Sequence, residues 1–238
     1  MNHLELSNRL KKVGDFVPNN ARLADIGSDH AYLPVALMLQ GKISFAVAGE
    51  VVKGPFEAAT RQVAKDGLQE SITVRLANGL DAVQLEDNIS AVTIAGMGGA
   101  LIRDILEAGV ANQRLSGSER LILQPNVGEK TVRQWLQEHT YQIVDEAILE
   151  ENKKTYEVIV AEKATKPVNY TEKELLFGPY LLVQDSEVFY NKWLHELKQR
   201  QHVINQMKQA QEVPEKRIKV LEKEIQTIME VLNNGENS

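Results

Sequence analysis

Four short segments within the first hundred residues contain carboxylate or amide side chains or glycines of the kind that line ligand-binding sites. In chain order they hold Asp25 and Gly27, then Glu50, then Asn78 and Gly79, and finally the glycine-rich run Ala-Gly-Met-Gly-Gly at 95–99. Each segment follows a short apolar run of the kind that forms a buried strand. Because ligands of open α/β sheets bind at the carboxyl ends of the strands, this order predicts one nucleotide-type binding site.

The turn after the first apolar run indicates which nucleotide. Residues 24–34 read ADIGSDHAYLP, and Asp29 stands where a dinucleotide-binding fingerprint has its second glycine. A carboxylate there would repel a pyrophosphate but is compatible with a cationic sulfonium. The turn therefore favours S-adenosylmethionine as the cofactor. An NAD-binding oxidoreductase or dinucleotide sensor is the alternative from another class.

The first two segments have distinct predicted roles. Gly27 lets the backbone approach the ligand, and Asp25 either orients the loop or accepts from the ammonium group of the cofactor. Glu50 ends the second strand, where an acidic side chain accepts from the ribose hydroxyls of an adenosine. A solvated carboxylate at a strand end is the structural alternative for Glu50.

The next two segments would complete the site. Asn78 and Gly79 lie where a side chain can hydrogen-bond an adenine edge, although Asn-Gly is also a common turn dipeptide. The glycine-rich run after the fourth strand leaves space in which substrate and methyl group can meet. Met97 is the one bulky side chain in that run, and simple packing is its alternative role.

The rest of the first 165 residues alternates strands and helices. Strands are predicted over 22–26, 45–48, 71–76, 91–95 and 120–123, and helices over 4–13, 33–40, 55–65, 129–138 and from the glycine run through residue 106. Two further strands, 141–149 and 156–161, are joined by a turn too short for a crossover helix, so they form an antiparallel pair. The fold class is therefore α/β, a doubly wound Rossmann-like class I methyltransferase sheet with one reversed strand.

The composition changes beyond residue 163. Residues 193–211 are rich in Gln, Lys and Leu with apolar residues at helical spacing. After Pro214, a cleaner heptad-like stripe is formed by Ile218, Leu221, Ile225, Ile228 and Leu232. This predicts a C-terminal helical hairpin of coiled-coil type, with coiled-coil dimerisation as the alternative. The predicted domains are 1–165, which binds the cofactor, and 166–238, which is helical; we expect a monomer or weak dimer.

Bulk properties limit the remaining possibilities. The 238 residues contain no cysteine, which removes thiolate metal sites and cysteine nucleophiles, and no metal site is predicted. No apolar run is long enough to span a membrane, and residues 1–12 lack a signal-peptide pattern, so we expect a cytoplasmic protein. A net charge of −6 disfavours general nucleic-acid binding. Any such binding requires local basic patches, such as Arg9 with Lys11 and Lys12.

Taken together, the motifs resemble the TrmK family of bacterial tRNA (adenine-N1)-methyltransferases, which modify adenosine 22. The resemblance rests on ADIGSDHAYLP at 24–34, AGE at 48–50, ANGL at 77–80, AGMGG at 95–99, LQPN at 123–126 and LSNRL at 6–10. It covers essentially the whole chain and implies a methyltransferase domain followed by a helical coiled coil. It also implies S-adenosylmethionine as cofactor and tRNA as partner. A methyltransferase acting on a small molecule or protein is the alternative.

The resemblance also implies roles for single residues. The cofactor would be held by Asp25, Gly27, His30, Glu50, Asn78, Gly79 and Gly96, with Gly96 at the methyl end. Asp29 and His30 would face the reaction centre, and Asp29 is the candidate catalytic residue. Since Asp before an apolar helix is a common N-cap, capping is the structural alternative for Asp29. Arg9 and Met97 are candidate substrate-binding residues.

One departure from other adenine-modifying enzymes bears on mechanism. Many of them carry an Asn/Asp-Pro-Pro-aromatic motif after the fourth strand, where this chain has Ala-Gly-Met-Gly at 95–98. Adenine N1 carries an in-plane lone pair and can attack a methyl carbon without prior proton removal. The sequence therefore favours catalysis by alignment, assisted by a carboxylate near the base edge.

Overall fold

The computed structural model describes residues 5–209 and 214–235. By its internal contacts the chain forms two compact units, Met1–Tyr180 and Leu181–Ser238. Within the described residues, no helix is both long enough and apolar enough to cross a bilayer.

The first unit alternates strands and helices in the predicted order. Its strands are β1 Ala21–Ile26, β2 Ile43–Glu50, β3 Ile72–Leu76, β4 Ala91–Gly98, β5 Arg120–Val127, β6 Tyr141–Glu151 and β7 Lys154–Lys163. Its helices are α1 Asn8–Asp15, α2 Tyr32–Leu39, α3 Lys53–Lys65, α4 Gly99–Ala111, α5 Glu129–Glu138 and α6 Glu172–Phe177. Short 3₁₀ helices occupy Gly79–Ala82 and Leu85–Asp87.

All seven strands form one sheet in the order β3-β2-β1-β4-β5-β7-β6. The first five run parallel, whereas β7 is antiparallel to both β5 and β6. The order reverses at β1, which lies between β2 and β4, so the carboxyl ends of these strands border the crevice where ligands of such sheets bind. The predicted α/β class and the reversed strand are confirmed.

The buried runs of the sequence explain the central strands. Every residue of β1 except Arg22 is buried, and residues 46–50 of β2 are buried without interruption. Continuous burial, rather than alternation, follows when helices cover both faces of a parallel sheet. Two apolar clusters, one on each face, include Leu33 and Ile122 on one side and Ile102 and Trp135 on the other.

The N-terminal helix begins later than the sequence periodicity predicts. Helix α1 begins at Asn8, and the Ser7 hydroxyl caps it by accepting from the Leu10 amide at 3.2 Å. Residues 5–7 are not helical, and residue 4 lies outside the described residues. The serine supplies an acceptor for an otherwise unpaired amide, so the cap and not the apolar spacing determines the start.

The first unit extends to Tyr180, beyond the boundary predicted at residue 165. The Tyr170 hydroxyl accepts from the Ile143 amide at 2.7 Å, and the Tyr180 amide donates to Glu146 at 3.0 Å. Leu175 and Phe177 are buried. These contacts tie residues 170–180 to β6.

The second unit contains a 3₁₀ turn at Leu181–Val183 and two long helices, α7 Glu187–Lys208 and α8 Glu215–Gly235. The two helices pack together through Ile204, Ile218, Ile228 and Leu232, all of which are buried. Arg200 on α7 donates to Glu224 on α8 at 3.0 Å. The predicted helical region is present; Gln211, where the first helix was predicted to end, lies outside the described residues.

Candidate active site

The loop after β1 adopts an unusual backbone. Gly27 has φ of +69°, and its amide donates to the Gly49 carbonyl at 2.9 Å. Asp29, His30 and Ala31 follow with φ of +44°, +69° and +58°. Ala31 occupies the N-cap position of α2, which has no side-chain cap. Asp29 therefore does not cap this helix, and its side chain is 81% exposed.

Asp25 is buried beneath that loop and anchors it. Its two carboxylate oxygens accept from the Ser28 hydroxyl at 2.5 Å and the Thr93 hydroxyl at 2.6 Å. Burial raises the pKa of Asp25, and these hydroxyls and the charge of Arg9 oppose the rise. Of the two sequence-based roles of Asp25, loop orientation is the one that the contacts display.

Glu50 lies at the end of β2, on the other side of the same loop. It is only 6% exposed, and its Oε1 atom is buried without a hydrogen-bond partner. Burial raises the pKa of Glu50, the backbone of Asp29 lowers it, and the charge of Asp25 raises it further. Since buried acceptors are almost always paired, an unpaired one beside a cleft indicates a position where a ligand donates.

The glycine-rich run brings the end of β4 against the first loop. A bulge interrupts the β4–β5 register at residues 95–98, and Gly96 has φ of +80°. The side chain of Met97 reaches back over Gly27, where a Cβ atom would lie 2.1 Å from the Met97 methyl carbon. A side chain at Gly27 would therefore be strained by the left-handed backbone and would displace the flexible end of Met97.

Arg9 enters the same region from α1. Its Nη1 donates to the side-chain oxygen of Gln124 at 2.5 Å, and its guanidinium carbon lies 5.6 Å from the Tyr156 ring centre. The same Gln124 oxygen accepts from the Gly96 amide at 3.0 Å. Asn126 donates to the Gly96 carbonyl at 2.7 Å. Two residues of β5 thus fix both the glycine turn and the arginine.

Six of the predicted site residues line one cleft of about 200 Å³, whereas Glu50 is not part of its lining. Its lining comprises Arg9, Leu10, Asp25, Gly27, Ser28, Asp29, Tyr32, Ala95, Gly96 and Met97. His30 lies beside it, 3.5 Å from the Asp29 carboxylate and stacked on Tyr32 with ring centres 5.3 Å apart. Asn78 and Gly79 line a second depression against α4, together with Leu101 and Ile105. The structure thus brings most of the predicted site residues together.

Sequence reasoning missed the partners of the site residues. Thr93 and Ser28 hold Asp25, whereas Gln124 and Asn126 hold the glycine turn, and none had a predicted role. The sequence offered one signal, because Thr93 and Gln124 are polar residues next to apolar ones in their strands. In the structure both are 0% exposed. A buried polar residue must find a partner, so its presence in a strand near a site marks a positioning role.

The comparison with known families decides the identity. Residues 23–230 match the family model described as tRNA (adenine(22)-N(1))-methyltransferase, TrmK. The chain belongs to the TrmK family. The fold and the family that the motifs indicated are therefore confirmed.

One named protein and two solved structures are similar to this chain and agree with the family match. The Bacillus subtilis protein named tRNA (adenine(22)-N(1))-methyltransferase is 45% identical, with 99% of this chain and 100% of that protein covered. A Streptococcus pneumoniae structure in complex with S-adenosyl-L-methionine is 45% identical with a TM-score of 0.86, covering 96% of this chain and 100% of the other. Mycoplasma capricolum TrmK in complex with S-adenosyl-homocysteine is 28% identical, with a TM-score of 0.83 and coverage of 96% and 98%.

Residues 5–209 and 214–235 contain no group of three or more His, Asp or Glu side chains placed to hold an ion. The chemically distinctive groups that line the TrmK cleft are the carboxylates of Asp25 and Asp29, the guanidinium of Arg9 and the thioether of Met97.

Proposed function

We propose that this chain transfers the methyl group of S-adenosylmethionine to N1 of adenosine 22 in tRNA. The observation that carries the proposal is the TrmK family match over residues 23–230, in a chain that brings residues of the motifs at 6–10, 24–34 and 95–99 into one cleft. The relative from Bacillus subtilis bears the corresponding name over its whole length.

The residues around the cleft fit the cofactor. The unpaired Oε1 of Glu50 is an acceptor for a ribose hydroxyl, and the depression beside Asn78 and Gly79 suits the adenine ring. Gly27 and Gly96 keep side chains out of the space for the methionine portion and the methyl end. When bound, S-adenosylmethionine supplies an electrophilic methyl group on a cationic sulfur.

Asp29 is the proposed catalytic residue. As N1 attacks the methyl carbon, positive charge develops on the purine, and a carboxylate near the base edge stabilises it or takes a proton from the amino group. The Asp29 side chain is exposed at the mouth of the cleft, where an incoming base can reach it. His30 adjoins the Asp29 carboxylate, and we assign it to the cofactor side of the loop.

The substrate must present an unpaired adenine, because N1 lies on the Watson–Crick edge. A flipped or locally unpaired base is therefore required. Met97 and Arg9 line the cleft that such a base would enter. Phosphate contacts would come from basic residues of the hairpin. The sequence offers Lys192, Lys198, Arg200, Lys208, Lys216, Arg217 and Lys219; of these, Arg200 is already bound to Glu196 and Glu224, and Lys208 to Glu222.

The remaining proposals concern the setting of the reaction. We propose that the cofactor-binding domain, predicted over 1–165, extends to Tyr180, where the first compact unit ends, and that the helical domain follows it. We also propose that the protein acts in the cytoplasm as a monomer or weak dimer. Sedimentation of the purified protein over a range of concentrations tests the oligomeric state.

Methyl transfer to tRNA transcripts tests the function directly. Unmodified transcripts carrying adenosine 22 are incubated with the protein and labelled S-adenosylmethionine, and the nucleosides are then separated. We expect N1-methyladenosine, and none from a matched transcript with guanosine at that position. If the protein binds S-adenosylhomocysteine but yields no N1-methyladenosine, a methyltransferase with another substrate is indicated. Stabilisation by NAD and not by S-adenosylhomocysteine would overturn the cofactor assignment.

A further inference from the structure

The turn between β6 and β7 contains a lysine at a position whose backbone favours glycine. Asn152 and Lys153 form this two-residue turn with φ of +52° and +61°, and Lys154 begins β7. A hairpin turn with both central residues left-handed is formed best by Asn-Gly, because glycine has no Cβ atom to strain the backbone. Asn152 fits this rule, whereas Lys153 does not. A residue that is kept against the preference of its backbone indicates a function beyond the fold.

The β6–β7 turn, residues 151–154, lies on the side of the sheet that bears the cleft. The last pair between β5 and β7 joins Leu123 to Ile159. Because these strands are antiparallel, residues 154–158 continue past that pair toward the carboxyl end of β5. At the usual rise per residue this extension is about 17 Å long. Lys153 and its neighbour are therefore carried beyond the paired part of the strand, on the side from which a substrate reaches the cleft.

Contacts with α1 hold the β6–β7 turn in place. The Glu151 carboxylate accepts from the Asn8 amide at 2.7 Å. The ring centre of Tyr156 lies 5.6 Å from the guanidinium carbon of Arg9, and Arg9 itself lines the cleft. The turn is thus attached to the helix that borders the cleft, so charges on the turn have a defined position.

The two lysines of the turn carry charge that the described part of the chain does not neutralise. Both are exposed, and neither forms an ion pair with any residue in 5–209 or 214–235. Glu151 is opposite Lys154 in the strand pairing, but its carboxylate accepts from the Asn8 amide. Two adjacent cations at a fixed place, without counter-charges, favour a ligand that carries several negative charges.

We infer that Lys153 and Lys154 bind the phosphate backbone of the tRNA and help to hold it over the cleft. The inference rests on the proposed function and adds a contact made by the first unit, separate from the basic residues of α7 and α8. The chain carries a net charge of −6, so its attraction for RNA depends on local cations such as these. Backbone contacts carry no sequence information. The turn should therefore affect how tightly tRNA binds and not which base is methylated.

The affinity for tRNA and its salt dependence test this contact. Unmodified transcripts carrying adenosine 22 are titrated with wild-type protein, Lys153→Asn and Lys154→Gln at several salt concentrations, and binding is followed by fluorescence anisotropy. We expect each variant to bind about fivefold more weakly near 0.1 M salt, with a slope of log affinity against log salt that is shallower by roughly 1. Affinity for S-adenosylhomocysteine and kcat at saturating tRNA should remain those of wild type.

Further variants separate binding from folding. Lys153→Gly relieves the left-handed strain, so it should melt roughly 2 °C above wild type and yet bind tRNA as weakly as Lys153→Asn. Lys153→Arg keeps the charge and should bind tRNA as wild type does. Lys65→Gln is the matched control, because Lys65 is an exposed lysine at the end of α3, next in sequence to the opposite edge strand β3. It should leave both the affinity and the salt slope unchanged.

The possible failures are distinguishable. If Lys153→Asn and Lys154→Gln bind tRNA as wild type does, or lose affinity without a change in salt slope, the inference is overturned and the methyltransferase proposal stands. An equal loss in Lys65→Gln also overturns it, because the effect would then be one of net charge alone. If the wild-type protein neither binds nor methylates the transcripts, the proposed function fails, and the inference fails with it.

Discussion

Two groups of buried charged side chains in the first unit, one around Arg133 and one at the cleft, differ in whether they are paired with opposite charges. Arg133 is fully buried and donates to Glu146 at 2.8 Å and to Glu157 at 2.5 Å, both of which are also fully buried. Asp25 and Glu50 at the cleft are nearly as buried, yet neither forms an ion pair with any residue that the structure describes.

The electrostatics follow from that difference. Burial alone would lower the pKa of Arg133, but the charges of Glu157 and Glu146 raise it, so the guanidinium stays charged. At the cleft, burial raises the pKa of both Asp25 and Glu50 because no cation compensates it fully. A buried charge with its partners in place stabilises local structure, whereas one without them marks a binding site.

The largest effect is expected from removing the cation of the cluster formed by Arg133, Glu146 and Glu157. Arg133→Met leaves two buried carboxylates without their cation and should lower the free energy of unfolding by roughly 3–5 kcal/mol. Urea denaturation measures the loss. Arg103→Met, which removes a half-exposed arginine from α4, should change stability by no more than about 0.5 kcal/mol. Equal stability of wild type and Arg133→Met would remove the distinction between the two groups.

Asp29→Asn tests the exposed carboxylate at the mouth of the cleft. The amide tolerates the left-handed backbone at this position, so the loop should keep its shape. We expect kcat for tRNA methylation to fall about a hundredfold while affinity for S-adenosylhomocysteine stays near that of wild type. Glu57→Gln, an exposed carboxylate of α3, is the matched control. Parallel losses in turnover and affinity would instead assign Asp29 to cofactor binding.

Glu50→Gln should have effects opposite in sign to those of Arg133→Met. Neutralising an uncompensated buried charge should leave the stability of the free protein unchanged or raise it. Affinity for S-adenosylhomocysteine should nevertheless fall about tenfold, because a charged acceptor for the ribose hydroxyls is lost. Denaturation and calorimetry on the same samples measure both. A large loss of stability would show that Glu50 stabilises the fold, as the carboxylates around Arg133 do, and would contradict its role in binding.

The smallest effect is a pH dependence of binding. Ribose hydroxyls donate to ionised Glu50, so binding lowers its pKa relative to the free protein. Affinity for S-adenosylhomocysteine should be constant at high pH and should fall as the pH drops through the free-protein pKa, which burial places above the ordinary 4.5. Glu50→Gln should have a shallower slope than wild type. An unchanged slope in Glu50→Gln would show that Glu50 does not titrate in this range.

Local sequence signals predicted the strands well and the long-range contacts poorly. The apolar runs located β1 to within one residue at its start, and the short turn predicted the β6–β7 pair. Arg133 lies on an amphipathic helix, and nothing local shows that two strands supply carboxylates to it. The bond from Arg9 to Gln124 likewise joins residues 115 positions apart. Such contacts depend on how helices and strands that are distant in sequence pack together, and the spacing of apolar residues does not show this.

Among the candidate site residues, too, local features could be predicted and long-range or conformational ones could not. Asp25, Gly27 and Gly96 were predictable because strand ends are recognisable and the sheet brings them together. The left-handed run at residues 29–31 was not, because Asp and His tolerate this conformation without requiring it and Ala does not favour it. Helix α6 was also missed, since six residues are too few to show a period.

That left-handed run has a consequence for motion. For L-amino acids, each such residue costs roughly 1–2 kcal/mol relative to the right-handed conformation, with Asp among the more tolerant. Packing around the fully buried Ala31 must therefore hold the loop against its local preference. Such a segment opens more readily than the strands beside it. Amide hydrogen exchange at residues 28–31 should accordingly be fast in the free protein and slow when S-adenosylhomocysteine is bound, while exchange in β1 remains slow in both.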